Sequence, residues 1–136
     1  MLRFSKSKKN KRIRWRPALD VAQKLQKIIS SIENEKLKTT RIFCVRSSNA
    51  KTQAFARIWG LSRIWQEVLK QEPAYIIEVI SEKFDKLSDK EKDRVLLHEL
   101  AHIPRNVSGA LLPHRSRGKG KFKDKLKRLI YSYEKK

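Results

Sequence analysis

One predicted helix restricts the possible folds of this chain more than any other segment. Its apolar residues must be buried, and several polar residues lie among them. Apolar residues recur at helical spacing between positions 88 and 103. Ser88 and Glu91 form the pattern of a capping box, which satisfies free backbone N–H groups at a helix start. Pro104 is expected to end the helix, since the residue before a proline is pushed out of helical geometry. The sequence therefore predicts a helix over 88–103.

This helix contains the sequence His98-Glu99-Leu100-Ala101-His102. Two histidines four positions apart lie on one face of a helix, so both imidazoles can bind a single Zn²⁺. Glu99 points about 100° away around the helix and can act as a base without binding the metal. The bare pentapeptide also arises by chance. However, burying such groups without partners is costly, and this favours a metal site over coincidence.

A third histidine, His114, follows after a loop, and the chain contains three histidines in all. A catalytic zinc needs three protein ligands and one open position for water. We therefore expect His98, His102 and His114 to bind zinc and Glu99 to be the catalytic base of a hydrolase, with a peptidase favoured. The alternative for His114 is an exposed loop residue beside a run of cations. Mn²⁺, Fe²⁺ and Co²⁺ also suit imidazole ligands, although zinc is the default.

Length and composition predict one small α+β domain over 17–136, preceded by a basic tail over 1–16. The single cysteine, Cys44, excludes an internal disulfide and a cysteine-based zinc cluster. No stretch has the apolar character of a signal peptide or a membrane span, so a soluble cytoplasmic protein without membrane contact is expected. Helical periodicity predicts an N-terminal helix over 17–33 and a C-terminal helix from 119 to the end.

β-Branched and aromatic residues predict a sheet of about three strands, over 39–46, 54–59 and 75–80. Positions 64–69 suit either a short helix or an extended segment. The 75–80 strand is expected to present an edge to which a peptide could add, with Glu78 solvated. Trp59 and Trp65 are expected to lie in the core or the wall of a cleft rather than to form a stacking platform for bases.

The net charge of +20 is concentrated at the two flanks of the domain. Such charge runs are often only solvated, but they can also bind the phosphates of DNA or RNA without reading sequence. The candidate nucleic-acid contacts are Lys8, Lys9, Lys11, Arg12, Arg14, Arg115, Arg117, Lys119 and Lys121.

Segments 56–61, 78–87, 97–104 and 108–114 together resemble a family of small predicted metallopeptidases of archaea and phages. The similarity spans roughly residues 37–133. It implies a minimal zincin-like fold, distantly similar to SprT-type proteases, with an N-terminal helix, a small sheet, the histidine-bearing helix and a C-terminal helix. It also implies that His98, His102 and His114 bind the metal and that Glu99 is catalytic. The basic segment after His114 departs from the family pattern and leaves the choice of partner open.

The sequence thus predicts a zinc metallopeptidase that acts on a peptide or protein substrate. The basic flanks extend this hypothesis to substrates that lie near nucleic acid. One alternative is a non-catalytic nucleic-acid-binding protein stabilised by zinc. The other is a zinc hydrolase with a non-peptide substrate. Tyr131, Tyr133 and Arg115 are candidates for the group that stabilises an oxyanion.

Overall fold

The computed structural model describes residues 11–115 and 120–135, and all structural statements concern these residues. Four strands form one sheet: β1 (Arg14–Pro17), β2 (Arg41–Ser48), β3 (Ala56–Gly60) and β4 (Ala74–Ile80). The helices are α1 (Leu19–Ser31), α2 (Glu35–Thr39), α3 (Arg63–Leu69), α4 (Ser81–Phe84), α5 (Asp89–Leu100) and α6 (Phe122–Glu134). The α+β class is confirmed, and the architecture is compatible with a small zincin-like domain.

The strand order in the sheet is β1-β2-β4-β3. β2 and β4 run parallel, with Cys44 opposite Ile77, whereas β1 and β3 are antiparallel to their neighbours. Because β4 is hydrogen-bonded on both sides, the prediction that the 75–80 strand presents an edge is wrong. Within the described residues β3 forms the sheet edge that lies next to α5.

The sequence does not predict strand β1, because its four residues lie in a run of cations that is typical of a solvated tail. Arg14 pairs with Ser48 and Pro17 with Val45, so positions 14–16 belong to the sheet. Pro17 ends β1 instead of opening a helix, and the Ala18 N–H donates to the Cys44 carbonyl at 3.1 Å before α1 begins. Positions 1–10 of the predicted tail lie outside the described residues.

Helices α1 and α5 pack on one face of the sheet, here called the inner face, and α6 packs on these two helices. The apolar stripe that predicted α1 is buried, and so are the apolar residues of α5. Cys44 is 8% exposed and packs with them, as its position in the middle of an apolar strand suggested. Burying each such aliphatic side chain stabilises the fold by roughly 1.5–3 kcal/mol. The fully buried members include Ile28, Ile77, Val79, Leu96, Leu97, Leu100 and Ile103.

The opposite face of the sheet, here called the outer face, remains open in the described part of the chain. Trp59 on β3 is 49% exposed, and Trp65 on α3 is 58% exposed. The expectation that these tryptophans lie in the core or in a cleft wall is therefore wrong. Segment 63–69 forms a helix none of whose residues is buried. No helix among the described residues combines the length and the apolar character needed to cross a bilayer.

Candidate metal centre and active site

The three histidines converge on one point between α5 and the loop that follows it. His98 Nε2 lies 3.0 Å from His114 Nε2, and His102 Nε2 lies 3.1 Å from the same atom. The potential ligand atoms of all three residues lie within 4.8 Å of one another. Regular helix ends at Leu100, earlier than the predicted Ile103, so His102 lies in the turn just beyond it.

The arrangement fits a tetrahedral metal ion. Zn–N bonds of about 2.0–2.1 Å place the nitrogens of two ligands about 3.3 Å apart, close to the distances observed. His102 Nδ1–H donates to the Leu112 carbonyl at 2.6 Å, which leaves its Nε2 with a free lone pair. Both N···N contacts share His114 Nε2, which can either donate one proton or accept one. His102 Nε2 has only a lone pair to offer, so without a cation the two contacts cannot both be good hydrogen bonds. A shared divalent ion satisfies all three lone pairs at once.

Burial keeps the imidazoles of His98 and His102 in the form that binds metals. It lowers the pKa of His98 to about 4, with the neighbouring His102 and His114 adding to the effect. Burial also lowers the pKa of His102. Both rings are therefore neutral near pH 7, and a neutral imidazole can donate its lone pair to a cation.

Contacts from distant parts of the chain hold the loop that carries His114. The Tyr75 hydroxyl is buried, accepts the Gly109 N–H at 2.8 Å and donates to the Ala110 carbonyl at 3.0 Å. The Gln66 side-chain amide donates to the Ser108 carbonyl at 2.8 Å. These roles could not be predicted from the sequence, because a tyrosine in an apolar strand is usually a core residue.

A glycine pair lets this loop lie directly against the end of β3. A Cβ at Gly60 would be 2.0 Å from the Gly109 carbonyl oxygen, and a Cβ at Gly109 would be 2.3 Å from the Leu61 carbonyl oxygen. Gly109 also has a φ of +98°, which residues with a side chain rarely adopt. Loop and strand can therefore make backbone contact only while both positions are glycine.

The Phe122 ring of α6 packs against all three imidazoles. Its centroid is 4.4 Å from that of His102 in a stacked arrangement, and 4.9 Å from those of His98 and His114. Phe122 is 3% exposed and shields this side of the centre from water. Its position in the sequence suits a packing residue of the last helix or an aromatic residue of the basic flank, and neither predicts a contact with the histidines.

Glu99 lies beside the histidines and is 6% exposed. Burial raises the pKa of its carboxyl to about 8. No hydrogen-bond or ion-pair partner of this carboxyl is found among residues 11–115 and 120–135. The side chain lines a cleft of about 760 Å³ together with the three histidines, residues 54–58 of the β3 region and residues 111–113. The cleft gives a substrate access to this group.

None of the oxyanion candidates lines this cleft. Tyr131 is 70% exposed, and the Tyr133 hydroxyl instead donates to Asp93 at 2.7 Å. Arg115 is exposed at the end of the described segment. Two arginines that the sequence did not single out, Arg57 and Arg94, do line the cleft.

The candidate nucleic-acid contacts fall into separate places. Lys11, Arg12 and Arg14 line one concavity at the start of β1. Arg115 and Lys121 are exposed and do not line it. Lys8, Lys9, Arg117 and Lys119 lie outside the described residues.

A family model described as "Putative phage metallopeptidase" matches residues 13–129, a span that includes β1, all three histidines and Glu99. No curated protein and no solved structure gives a significant match. Since the family match covers most of the chain and the histidines form a potential metal site, the chain belongs to this family of metallopeptidases.

Proposed function

We propose that the protein is a zinc-dependent metallopeptidase that hydrolyses peptide bonds in the cleft beside its three histidines. One observation carries the proposal: three imidazole nitrogens converge next to a buried carboxyl that has no other partner in the described chain and faces a cleft. His98, His102 and His114 would hold the ion, and Glu99 would be the general base.

His98, His102 and His114 would hold a zinc ion, which when bound would lower the pKa of water towards about 7 and polarise a substrate carbonyl. The positive charge of the ion would favour the ionised form of Glu99, and its carboxylate would accept the proton of the attacking water and return it to the leaving amine. Phe122 would exclude bulk water from the opposite side of the histidines. The Nδ1–H bond from His102 to Leu112 would keep that imidazole in the tautomer that can bind metal.

The substrate would lie along β3 rather than along the strand that the sequence favoured. Residues 54–58 line the cleft, and β3 has a neighbour on only one side within the described residues. An extended peptide could therefore add to this edge through backbone hydrogen bonds. Phe55, Val95 and Leu111 line the same cleft and favour apolar substrate side chains.

The alternative of a zinc site that only stabilises the fold requires a closed coordination shell, normally with four protein ligands. Among the described residues the potential ligand group has three members. Together with the cleft, this favours an open position for water and so a catalytic role.

The test compares the wild type with Glu99→Gln and His114→Ala, using zinc content and hydrolysis of labelled casein. Glu99→Gln should keep one zinc per chain and lose activity by about 10²- to 10⁴-fold, because general base catalysis contributes that much. His114→Ala should lose zinc. Glu67→Gln, which alters an exposed carboxylate on α3, is the matched control and should retain full activity. An active Glu99→Gln enzyme would contradict the proposed base.

A further inference from the structure

The outer face of the sheet exposes three aromatic rings on three different strands. The register places Trp15 of β1, Phe43 of β2 and Trp59 of β3 on the face opposite Cys44 and Ile77. Trp15 is 57% exposed, Phe43 53% and Trp59 49%. Large aromatic residues are costly to leave in water in a protein this small, so their exposure requires a reason.

A buried carboxylate holds two of these rings in place. Glu78 on β4 is 0% exposed, which overturns the expectation that it is solvated. Its carboxylate accepts the indole N–H of Trp59 at 2.8 Å and that of Trp15 at 3.2 Å. Arg57 donates to the same carboxylate at 2.7 and 3.2 Å, and its guanidinium lies 5.2 Å from the centre of the Trp59 ring.

The effect of this network is to fix the orientation of exposed rings. A core needs no charged group to hold its aromatic residues, and burying a carboxylate is expensive unless several donors compensate for it. Here the donors are the two indoles and an arginine that lie on the outer face. The rings therefore form a preorganised aromatic surface, defined as Trp15, Phe43 and Trp59.

A positively charged concavity adjoins this surface. Lys11, Arg12, Lys51 and Arg57 line a space of about 610 Å³, and no acidic residue lines it. An adjoining concavity is lined by Lys11, Arg12, Arg14 and Trp15. Arg57 and Trp15 thus connect the cations to the aromatic surface. We call the cations Lys11, Arg12, Arg14 and Lys51 the basic groove.

We propose that the aromatic surface and the basic groove together bind single-stranded nucleic acid without sequence preference. Unpaired bases stack on aromatic side chains, while the phosphates that connect them pair with lysine and arginine. A duplex hides the faces of its bases and would contact the groove alone. A second copy of this chain, with its net charge of +20, would bring like charge to these four cations, none of which forms an ion pair with another described residue.

The site is distinct from the metallopeptidase cleft, although Arg57 borders both. Nucleic acid held on the outer face would place the cleft next to it, which suits a substrate protein bound to the same strand. Binding does not depend on the proposed peptidase activity. Glu99→Gln should therefore bind nucleic acid as the wild type does, so failure of either idea leaves the other standing.

The first test measures the affinity of the full-length protein for a fluorescent 20-nucleotide oligothymidylate and for a duplex of equal length. Trp59→Ala and Phe43→Ala should each weaken single-strand binding about fivefold or more, the usual loss on removing one stacking ring. Trp65→Ala is the matched control, because Trp65 is at least as exposed as these two rings but lies on α3. Far-UV circular dichroism checks that each variant is folded.

Unchanged affinity in both Trp59→Ala and Phe43→Ala would overturn the proposal, and so would an equal loss in Trp65→Ala. Duplex bound as tightly as the single strand would point to charge alone and would also overturn it. Dimers in sedimentation experiments that dissociate on Trp59→Ala would show that the surface binds a second copy instead.

A second measurement does not depend on removing a ring from the surface. The chain has three tryptophans, so in Trp65→Phe all tryptophan fluorescence comes from Trp15 and Trp59. Oligothymidylate should quench this emission if bases stack on the rings, and unchanged emission at saturation would contradict stacking. Lys51→Ala should reduce the slope of log Kd against log salt by about 0.7 for the lost phosphate contact, without changing the quenching at saturation.

Discussion

The cleft and the outer face each contain one buried glutamate, and the two carboxyls behave in opposite ways. Glu99 has no partner in the described chain, and burial raises its pKa to about 8. Burial acts in the same direction on Glu78, but hydrogen bonds from Arg57 and Trp59 outweigh it and hold the pKa of that carboxyl below its usual value. Burial alone therefore does not identify a reactive group.

The difference lies in the donors around each carboxyl. Glu78 receives enough hydrogen bonds to remain charged at a completely buried position, so its charge serves to orient neighbouring side chains. Glu99 is left uncompensated beside three potential metal ligands, which makes it free to exchange a proton. A buried carboxyl without partners next to a cleft is the more informative sign of chemistry.

The same isosteric substitution at the two positions should have opposite effects on the free energy of unfolding. Glu78→Gln leaves Arg57 without its counterion and should cost about 2–3 kcal/mol, at or just below the range of about 3–5 kcal/mol for a broken buried pair, because Arg57 is one-third exposed. Glu99→Gln should instead stabilise the metal-free protein by about 1–2 kcal/mol at pH 8, because no charge has to be buried. Urea unfolding in the presence of a chelator measures both. Equal destabilisation by the two changes would refute the distinction.

The pH dependence of stability sharpens the comparison. The pKa of Glu99 is about 8 in the folded, metal-free protein against 4.5 for an ordinary glutamate, so the folded state retains a proton that the unfolded state has lost. Its stabilising contribution is complete below about pH 4.5 and disappears as the pH rises through 8.

The low pKa values of His98 and His102 act in the opposite direction, but only up to about pH 6.5. The free energy of unfolding should therefore fall by about 1–2 kcal/mol between pH 6.5 and 8. Glu99→Gln should abolish this fall, whereas the profile of Glu67→Gln should match the wild type. A wild-type profile that is flat over this range would show that Glu99 is ionised in the metal-free protein.

A smaller effect is expected from a change that touches neither carboxyl. Tyr75→Phe keeps the buried ring but removes the hydroxyl that bonds Gly109 and Ala110, at a cost of about 1–2 kcal/mol. The loop that carries His114 should become less constrained, and zinc affinity should fall several-fold. Tyr131→Phe, at an exposed position, is the control. Unchanged zinc affinity in Tyr75→Phe would show that the hydroxyl stabilises the fold without positioning the ligand.

The sequence predicted the parts of the site that lie close together along the chain. Helical spacing placed His98 and His102 together, and the Ser88–Glu91 capping box is present as predicted. The three histidines do converge, which the spacing between 102 and 114 suggested but could not require. The roles of individual residues in catalysis stay predictions.

The features that the sequence did not predict depend on contacts between distant strands. Alternation along a single strand cannot reveal that Glu78 has Trp15, Arg57 and Trp59 as neighbours, so a charged residue there looked solvated. The prediction that β4 is an edge strand failed for the same reason. Strand order depends on which strands pair, and the periodicity of one strand does not reveal its partners. The short strand β1 was hidden by its arginines, whose long side chains can stay hydrated while their backbone joins a sheet.

His102 and Leu112 are joined twice, through the ring Nδ1 to the Leu112 carbonyl and through the Leu112 N–H to the His102 carbonyl at 2.7 Å. His102 and His114, the second and third potential ligands, therefore belong to one chain reversal that these two hydrogen bonds close during folding. Little conformational freedom is left to lose when an ion enters, so apo-protein prepared by mild chelation should take up metal rapidly and without refolding.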